Sequence, residues 1–124
     1  MAISLMNMGH LEAINQIDIR TNISPWSKDN LQSSLEVGHH GLVSTKDKTI
    51  TGFIIFSPMP PECHILTIAI DTKFQRSGIG TLLLNKAIDQ SKAMKIRKIF
   101  LEVRLSNETA INFYKSFGFI KDAI

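Results

Sequence analysis

Three groups of residues in this chain could do chemistry. The first is Glu102, set in the apolar run Ile99 to Leu105 (IFLEVRL). A strand over Ile99–Val103 places Ile99, Leu101 and Val103 on one face and Phe100, Glu102 and Arg104 on the other. A carboxylate among such neighbours is costly unless it is paired or faces a wet cleft. Burial would raise its pKa towards the range useful to a general base. An ion pair with Arg104, two positions along the same face, accounts for it equally well. The second is Tyr114, on the apolar stripe of a predicted C-terminal helix, where a core aromatic with its hydroxyl at the rim is the plain reading. That helix follows the Glu102 strand after a short loop, so the hydroxyl can reach the same cleft. The third is the turn from Gln75 to Thr81, with Gly78 and Gly80, between an apolar run and a long helical pattern. A glycine turn feeding a helix start aims unpaired N–H groups and the positive end of the helix dipole at one point, which suits phosphate.

Two familiar phosphate loops do not fit that turn. Gly, four residues, then Gly-Lys-Ser/Thr is absent. The dinucleotide fingerprint comes nearer, with Gly78-x-Gly80 after a strand and Glu102 some 20 residues on. Leu83 stands where its third glycine belongs and blocks the close helix–strand packing that glycine permits.

Other candidates read as structure. His39 and His40 are neighbours on an extended segment, so their side chains diverge and do not share a metal. Cys63 and His64 diverge likewise, with no third group to orient a nucleophile, and Cys63 reads as packing. Asn107 reads as a helix cap or loop residue. Lys92, Lys95, Arg97 and Lys98 read as a solvated helix end without the interleaved aromatics that stack on bases. No metal and no direct nucleic-acid contact are expected.

The elements that must position these residues follow from pattern. The chain has 124 residues, 44% of them hydrophobic, a net charge of +3 and one cysteine. One domain over residues 1–124, with a real core and no internal disulfide, is expected. A reducing cytoplasm is the simplest home. No apolar run nears the roughly 20 residues that span a bilayer, and the first ten residues lack the basic region and cleavage site of an export signal. A short edge strand at 2–5 precedes a helix from Met8 to Ile19. Ser27 caps a second helix that Gly38 ends. Gly41–Thr45 and Thr49–Phe56 form a hairpin through Lys46-Asp47-Lys48. Pro58, Pro60 and Pro61 make a stiff loop barred from a central ladder. A strand from Ile65 to Asp71, a helix from Gly78 to Met94, the Ile99–Val103 strand and a helix capped by Ser106 or Asn107 complete the order. Phe119–Ile124 begins one more strand. The strand–helix–strand crossover implies a parallel or mixed sheet; the class is mixed α/β.

Four stretches together resemble the GNAT N-acetyltransferases over nearly the whole chain: Pro25-Trp26-Ser27, Ile68-Ala69-Ile70-Asp71, Gln75-x-x-Gly78-x-Gly80, and Leu101–Asn107 followed by Ala110-Ile111-x-Phe113-Tyr114-x-x-x-Gly118-Phe119. Within that family they are most similar to the bacterial N-terminal alanine acetyltransferases of a small-subunit ribosomal protein, the RimI type. The resemblance implies a GNAT fold and acetyl-CoA as cosubstrate. Backbone groups of Ile68, Ala69 and Ile70, and of Arg76, Ser77, Gly78, Ile79, Gly80 and Thr81, would then contact the coenzyme, with a further contact from Asn107. Thr81 stands where many relatives carry a basic residue. Glu102 would accept the proton of an attacking α-amine, through water, and Tyr114 would donate one to the departing thiolate. The Ile70 N–H, if the sheet leaves it unpaired, would hold the developing oxyanion. The resemblance also implies a strand, a Tyr-rich loop and a final strand beyond Ile124. Either the sequence is truncated or a neighbouring chain completes an exposed edge, which makes a dimer through that edge an expectation. The acceptor expected is a ribosomal protein's N-terminus. The rivals are a small amine such as a polyamine or an aminoglycoside, and a non-catalytic acyl-CoA-binding module.

Overall fold

The computed structural model describes residues 2–22, 25–75, 77–103 and 107–120. The sheet runs β1 (Ala2–Leu5), β2 (His40–Lys46), β3 (Thr49–Met59), β4 (Glu62–Ile70), β5 (Lys98–Leu101) in that spatial order. Neighbours are antiparallel except β4 and β5, which are parallel. It is a mixed sheet in a single α/β layer system. Helices α1 (Leu11–Thr21) and α2 (Lys28–Glu36) cover one face; α3 (Ile79–Ala93) and α4 (Glu108–Ser116) cover the other.

Local chemistry sets the boundaries. The Ser27 hydroxyl accepts from the Asn30 N–H at 3.1 Å and starts α2. Asn107 does the same for α4 through the Ala110 N–H, also at 3.1 Å. Gly38 and Gly118 close those helices with φ of +92° and +96°, where a side chain would be strained. Asp47 and Lys48 both take positive φ in the two-residue hairpin turn between β2 and β3.

β3 is apolar on both faces because both are covered. Phe53 and Ile55 pack with Leu11, Ile14, Ile17 and Leu31 beneath α1 and α2. Ile54 and Phe56 pack with Ile79, Leu83, Leu84 and Ala87 of α3. Each such side chain contributes about 1.5–3 kcal/mol by leaving water.

The structure corrects two expectations about strand ends. Pro58 lies inside β3, opposite Cys63, and only Pro60 and Pro61 make the turn. β2 stops at His40 opposite Phe56. Beyond that point β3 has, among the described residues, a neighbour on one side only, and a missing N–H costs no ladder bond on the other. β5 ends at Leu101, not Val103, so Glu102 follows the strand instead of sitting in it. Phe119 and Ile120 form no strand; residues 121–124, Ser106 and Arg104 lie outside the described residues.

Candidate active site

The site begins with an irregularity in β4. Ile65 pairs with Phe56 and Thr67 with Ile55, which leaves Leu66 as an extra residue, a β-bulge. Before the bulge Cys63 and Ile65 face α3; after it Ile68 and Ile70 do, while Ala69 faces α1. Pairing with β5 also stops here, at Ile65 opposite Leu101. From Leu66 onward one edge of β4 borders a gap.

The main chain of that edge is oriented by its partners. The Asp71 N–H donates to the Thr51 carbonyl on β3, at 2.9 Å. Successive N–H groups alternate along a strand, so those of Ile70 and Ile68 point to the gap. The Ile70 carbonyl accepts from the Gln75 side-chain amide at 3.1 Å. Asp71 is itself held: Arg20 of α1 grips its carboxylate with two hydrogen bonds, 3.2 and 3.0 Å long.

The glycine turn follows at once. A single 3-10 turn, Thr72–Phe74, leads into it, and the Ser77 hydroxyl donates to the Phe74 carbonyl. Gln75 and Ser77 therefore spend their side chains on the shape of the turn. Gly78 is the N-cap of α3 with φ +84° and offers no side-chain cap. A Cβ added there would meet nothing within 4 Å among the described residues. At Gly80 a Cβ would lie 3.4 Å from Phe113 of α4. The first amides of α3 have no intrahelical acceptor, and an unpaired helix start of this kind suits an anion. Arg76 lies outside the described residues.

Glu102 and Tyr114 come together. Both line a cavity of about 590 Å³ with His64, Leu66, Ile111 and Lys115. Its walls include Ile99 to Val103, from β5 and the residues after it, and His64 to Leu66 of β4. Glu102 is exposed in its mouth, which corrects the expected apolar burial: the strand ends one residue too early to enclose it. Tyr114 is half-buried, edge-on to Phe113 and Phe119. Burial pushes its hydroxyl up to about 12, so it keeps its proton at any physiological pH. Asn107 uses its side-chain oxygen to cap α4, as its residue type suggested.

Sequence reasoning missed three residues. Asp71 and Arg20 are 51 positions apart and carry no local signal. Asp18 is fully buried and accepts from the Trp26 N–H at 2.7 Å and from the Asn22 side chain, fixing the connection between α1 and α2. Its place on the apolar face of α1, next to Ile17, is the sign that could have revealed it. His64 was weighed only as a partner for Cys63, from which it does diverge.

The chain as a whole is similar to known proteins. The model of the acetyltransferase (GNAT) family covers residues 11–119. A [ribosomal protein bS18]-alanine N-acetyltransferase of Salmonella typhimurium is 34% identical over 94% of this chain and 79% of its own length. The crystal structure of the ribosomal-protein-S18-alanine N-acetyltransferase from Escherichia coli superposes with a TM-score of 0.93 at 30% identity, over 98% of this chain and 79% of that one. Ard1 from Thermoplasma volcanium gives 0.92 at 25% identity, over 98% and 84%. With its fold, its glycine turn and its sequence all in agreement, the chain belongs to the GNAT family and is an acetyl-CoA-dependent N-acetyltransferase.

Proposed function

We propose that this enzyme acetylates the N-terminal alanine of ribosomal protein bS18 in the cytoplasm, with Glu102 as the base and Tyr114 as the acid. The observation that carries the chemical part is the shared cavity: Glu102 and a protonated Tyr114 line the same one. The similarity to bS18 acetyltransferases along 94% of the chain supports the acceptor.

Acetyl-CoA supplies a thioester carbon for direct attack by the amine. The residues that would hold it are the main chain of Ile68, Ala69 and Ile70 along the open edge of β4, and that of Arg76 to Thr81 at the start of α3. Asn107 would add a contact through the groups its capping bond leaves over. An α-amine has a pKa near 8 and is largely protonated at neutral pH, so a base must act first. Glu102, exposed at the mouth, can take that proton through water. The Ile70 N–H, aimed at the gap, is placed to receive an oxyanion. Tyr114 gives its proton to the departing sulfur and takes back the second proton that the amine nitrogen loses.

The test is a panel of acceptors under saturating acetyl-CoA: an N-terminal bS18 peptide, the same peptide with its amine blocked, and free polyamines. Product on the unblocked peptide alone is expected. Product on polyamines and none on the peptide would overturn the acceptor. Glu102→Gln should lower kcat by about 10²–10⁴-fold with coenzyme affinity kept; full turnover near neutral pH would remove Glu102 from its role.

A further inference from the structure

The end of β4 carries a carboxylate that is not spent on its own turn. Asp71 stands at the start of the 3-10 turn Thr72–Phe74, where an aspartate ordinarily caps, yet its side chain accepts from none of the turn's amides. The residue is buried. Among the described residues its side chain has one partner, Arg20, whose Nε and Nη2 donate to the two carboxylate oxygens at 3.2 and 3.0 Å. The Arg20 side chain is 46% exposed, so the pair adds little to global stability. Two parallel bonds from a planar fork do fix an orientation as well as a distance.

Asp71 sits between the strand end and the helix start. Ile70, one residue before it, has its N–H aimed at the gap. The Ile70 side chain would lie 3.8 Å from a Cβ on Gly80, in the first turn of α3. The Ile70 carbonyl accepts from the Gln75 side chain. The Phe74 N–H donates to the Asp71 carbonyl at 2.8 Å and closes the turn that leads to Gly78. Arg20 reaches this junction from the last turn of α1, which is itself anchored. Buried Asp18 accepts there from the Trp26 N–H, and the Thr21 hydroxyl donates to the Ile17 carbonyl at 2.7 Å.

We propose that Arg20 is a positioning residue for acetyl-CoA. It ties the end of β4 to α1, so that the open β4 edge and the first amides of α3 stand in a fixed relation before the cosubstrate arrives. The inference rests on the reading of those two stretches as the cosubstrate's holds. A prepared cradle spares binding the cost of ordering it. The same bonds act electrostatically. Coenzyme A brings several negative charges to the start of α3, and a bare carboxylate one residue from Ile70 would repel them. It would also be free to turn back and cap its own 3-10 turn. The guanidinium neutralises that carboxylate and keeps it directed at α1.

Arg20→Gln keeps the length and polarity of the side chain and removes the charge and the fork. The calorimetric Kd for coenzyme A and the KM for acetyl-CoA should rise about 5- to 50-fold, as the prepared arrangement falls to a minority of the population. At saturating acetyl-CoA, kcat and the acceptor KM should stay within about threefold, with the bS18 peptide or the amine that the acceptor panel selects. A merely structural loss would instead lower kcat with the active fraction and leave KM alone. Arg20→Lys neutralises Asp71 without the fork and should recover part of the affinity. The double variant Arg20→Gln with Asp71→Asn should bind no more weakly than Arg20→Gln, because the second change removes the charge that the first leaves bare. Coenzyme affinity within twofold of the parent in Arg20→Gln, a loss confined to kcat, Arg20→Lys no better than Arg20→Gln, or a double variant in which the losses add each overturns the clamp. Should Arg20→Gln not fold, Arg20→Lys is read against the parent: weaker coenzyme binding with kcat kept supports the clamp, and parental binding overturns it. Gly78→Ala separates the two readings. If it weakens coenzyme binding while Arg20→Gln does not, the clamp alone fails. If Gly78→Ala binds as the parent does, the cradle fails and the clamp with it.

Discussion

Gly78 allows the coenzyme cradle to be tested with an internal control. Gly78 and Gly118 share almost the same backbone, φ +84° and +96°, and a Cβ at either meets nothing within 4 Å. Alanine at each should therefore carry the same strain, about 1–2 kcal/mol for a left-handed residue with a Cβ. For a domain of this size each such kcal/mol lowers Tm by roughly 3–5 °C. The two differ in what lies beyond. Gly78 opens α3 beside the gap in β4, whereas Gly118 closes α4. A methyl on Gly78 occupies the space through which a diphosphate approaches the first amides of α3. Loss of one or two charge-assisted hydrogen bonds, each about 1.5–3 kcal/mol, raises the Kd for coenzyme A about 10- to 10⁴-fold. Thermal unfolding and calorimetry on both variants read the two quantities separately. Equal loss of stability with weakened coenzyme binding in Gly78→Ala alone is expected. Binding within twofold of the parent in Gly78→Ala, or equal weakening in Gly118→Ala, would refute the cradle.

Other outcomes follow from the same geometry. The Tyr114 hydroxyl titrates near 12 in the folded protein and near 10 in the unfolded chain, so the folded state keeps a proton the unfolded chain surrenders. That contribution is intact below pH 10 and drains away as pH rises towards 12. Between those limits the parent should lose about 2–3 kcal/mol relative to Tyr114→Phe, as read by urea midpoints; parallel curves would contradict the burial. Asp18→Ala leaves the half-buried Trp26 N–H and Asn22 amide without their acceptor and should cost about 1–3 kcal/mol, with Asp18→Asn costing less. A loss under 1 kcal/mol in Asp18→Ala would show that the connection between α1 and α2 does not depend on that carboxylate.

Much of this was legible from residue type and spacing. The caps at Ser27 and Asn107, the closing glycines at 38 and 118, the hairpin at Asp47-Lys48 and the helix after Gly78 are local chemistry, and the chain states them directly. Pro58 misled because proline's ban on ladders depends on which side has a neighbour, and that is set by where β2 stops. Glu102 misled because an apolar run shows a tendency to extend, not the point where pairing ends. That Glu102 and Tyr114 share a cleft could be expected from the short connection between them, and they do line one cavity. The Arg20–Asp71 grip and the Leu66 bulge are long-range agreements between segments, which no window along the chain contains.

The surplus residue at Leu66 has an evolutionary corollary. Removing it would restore uninterrupted alternation from Cys63 to Ile70, with Ile65, Ile68 and Ile70 still directed at α3 and Ala69 at α1. Such a strand would be free to pair further along its neighbour and to narrow the gap beside Leu66. Loss of a single codon would thus yield a more regular sheet with a narrower opening along β4.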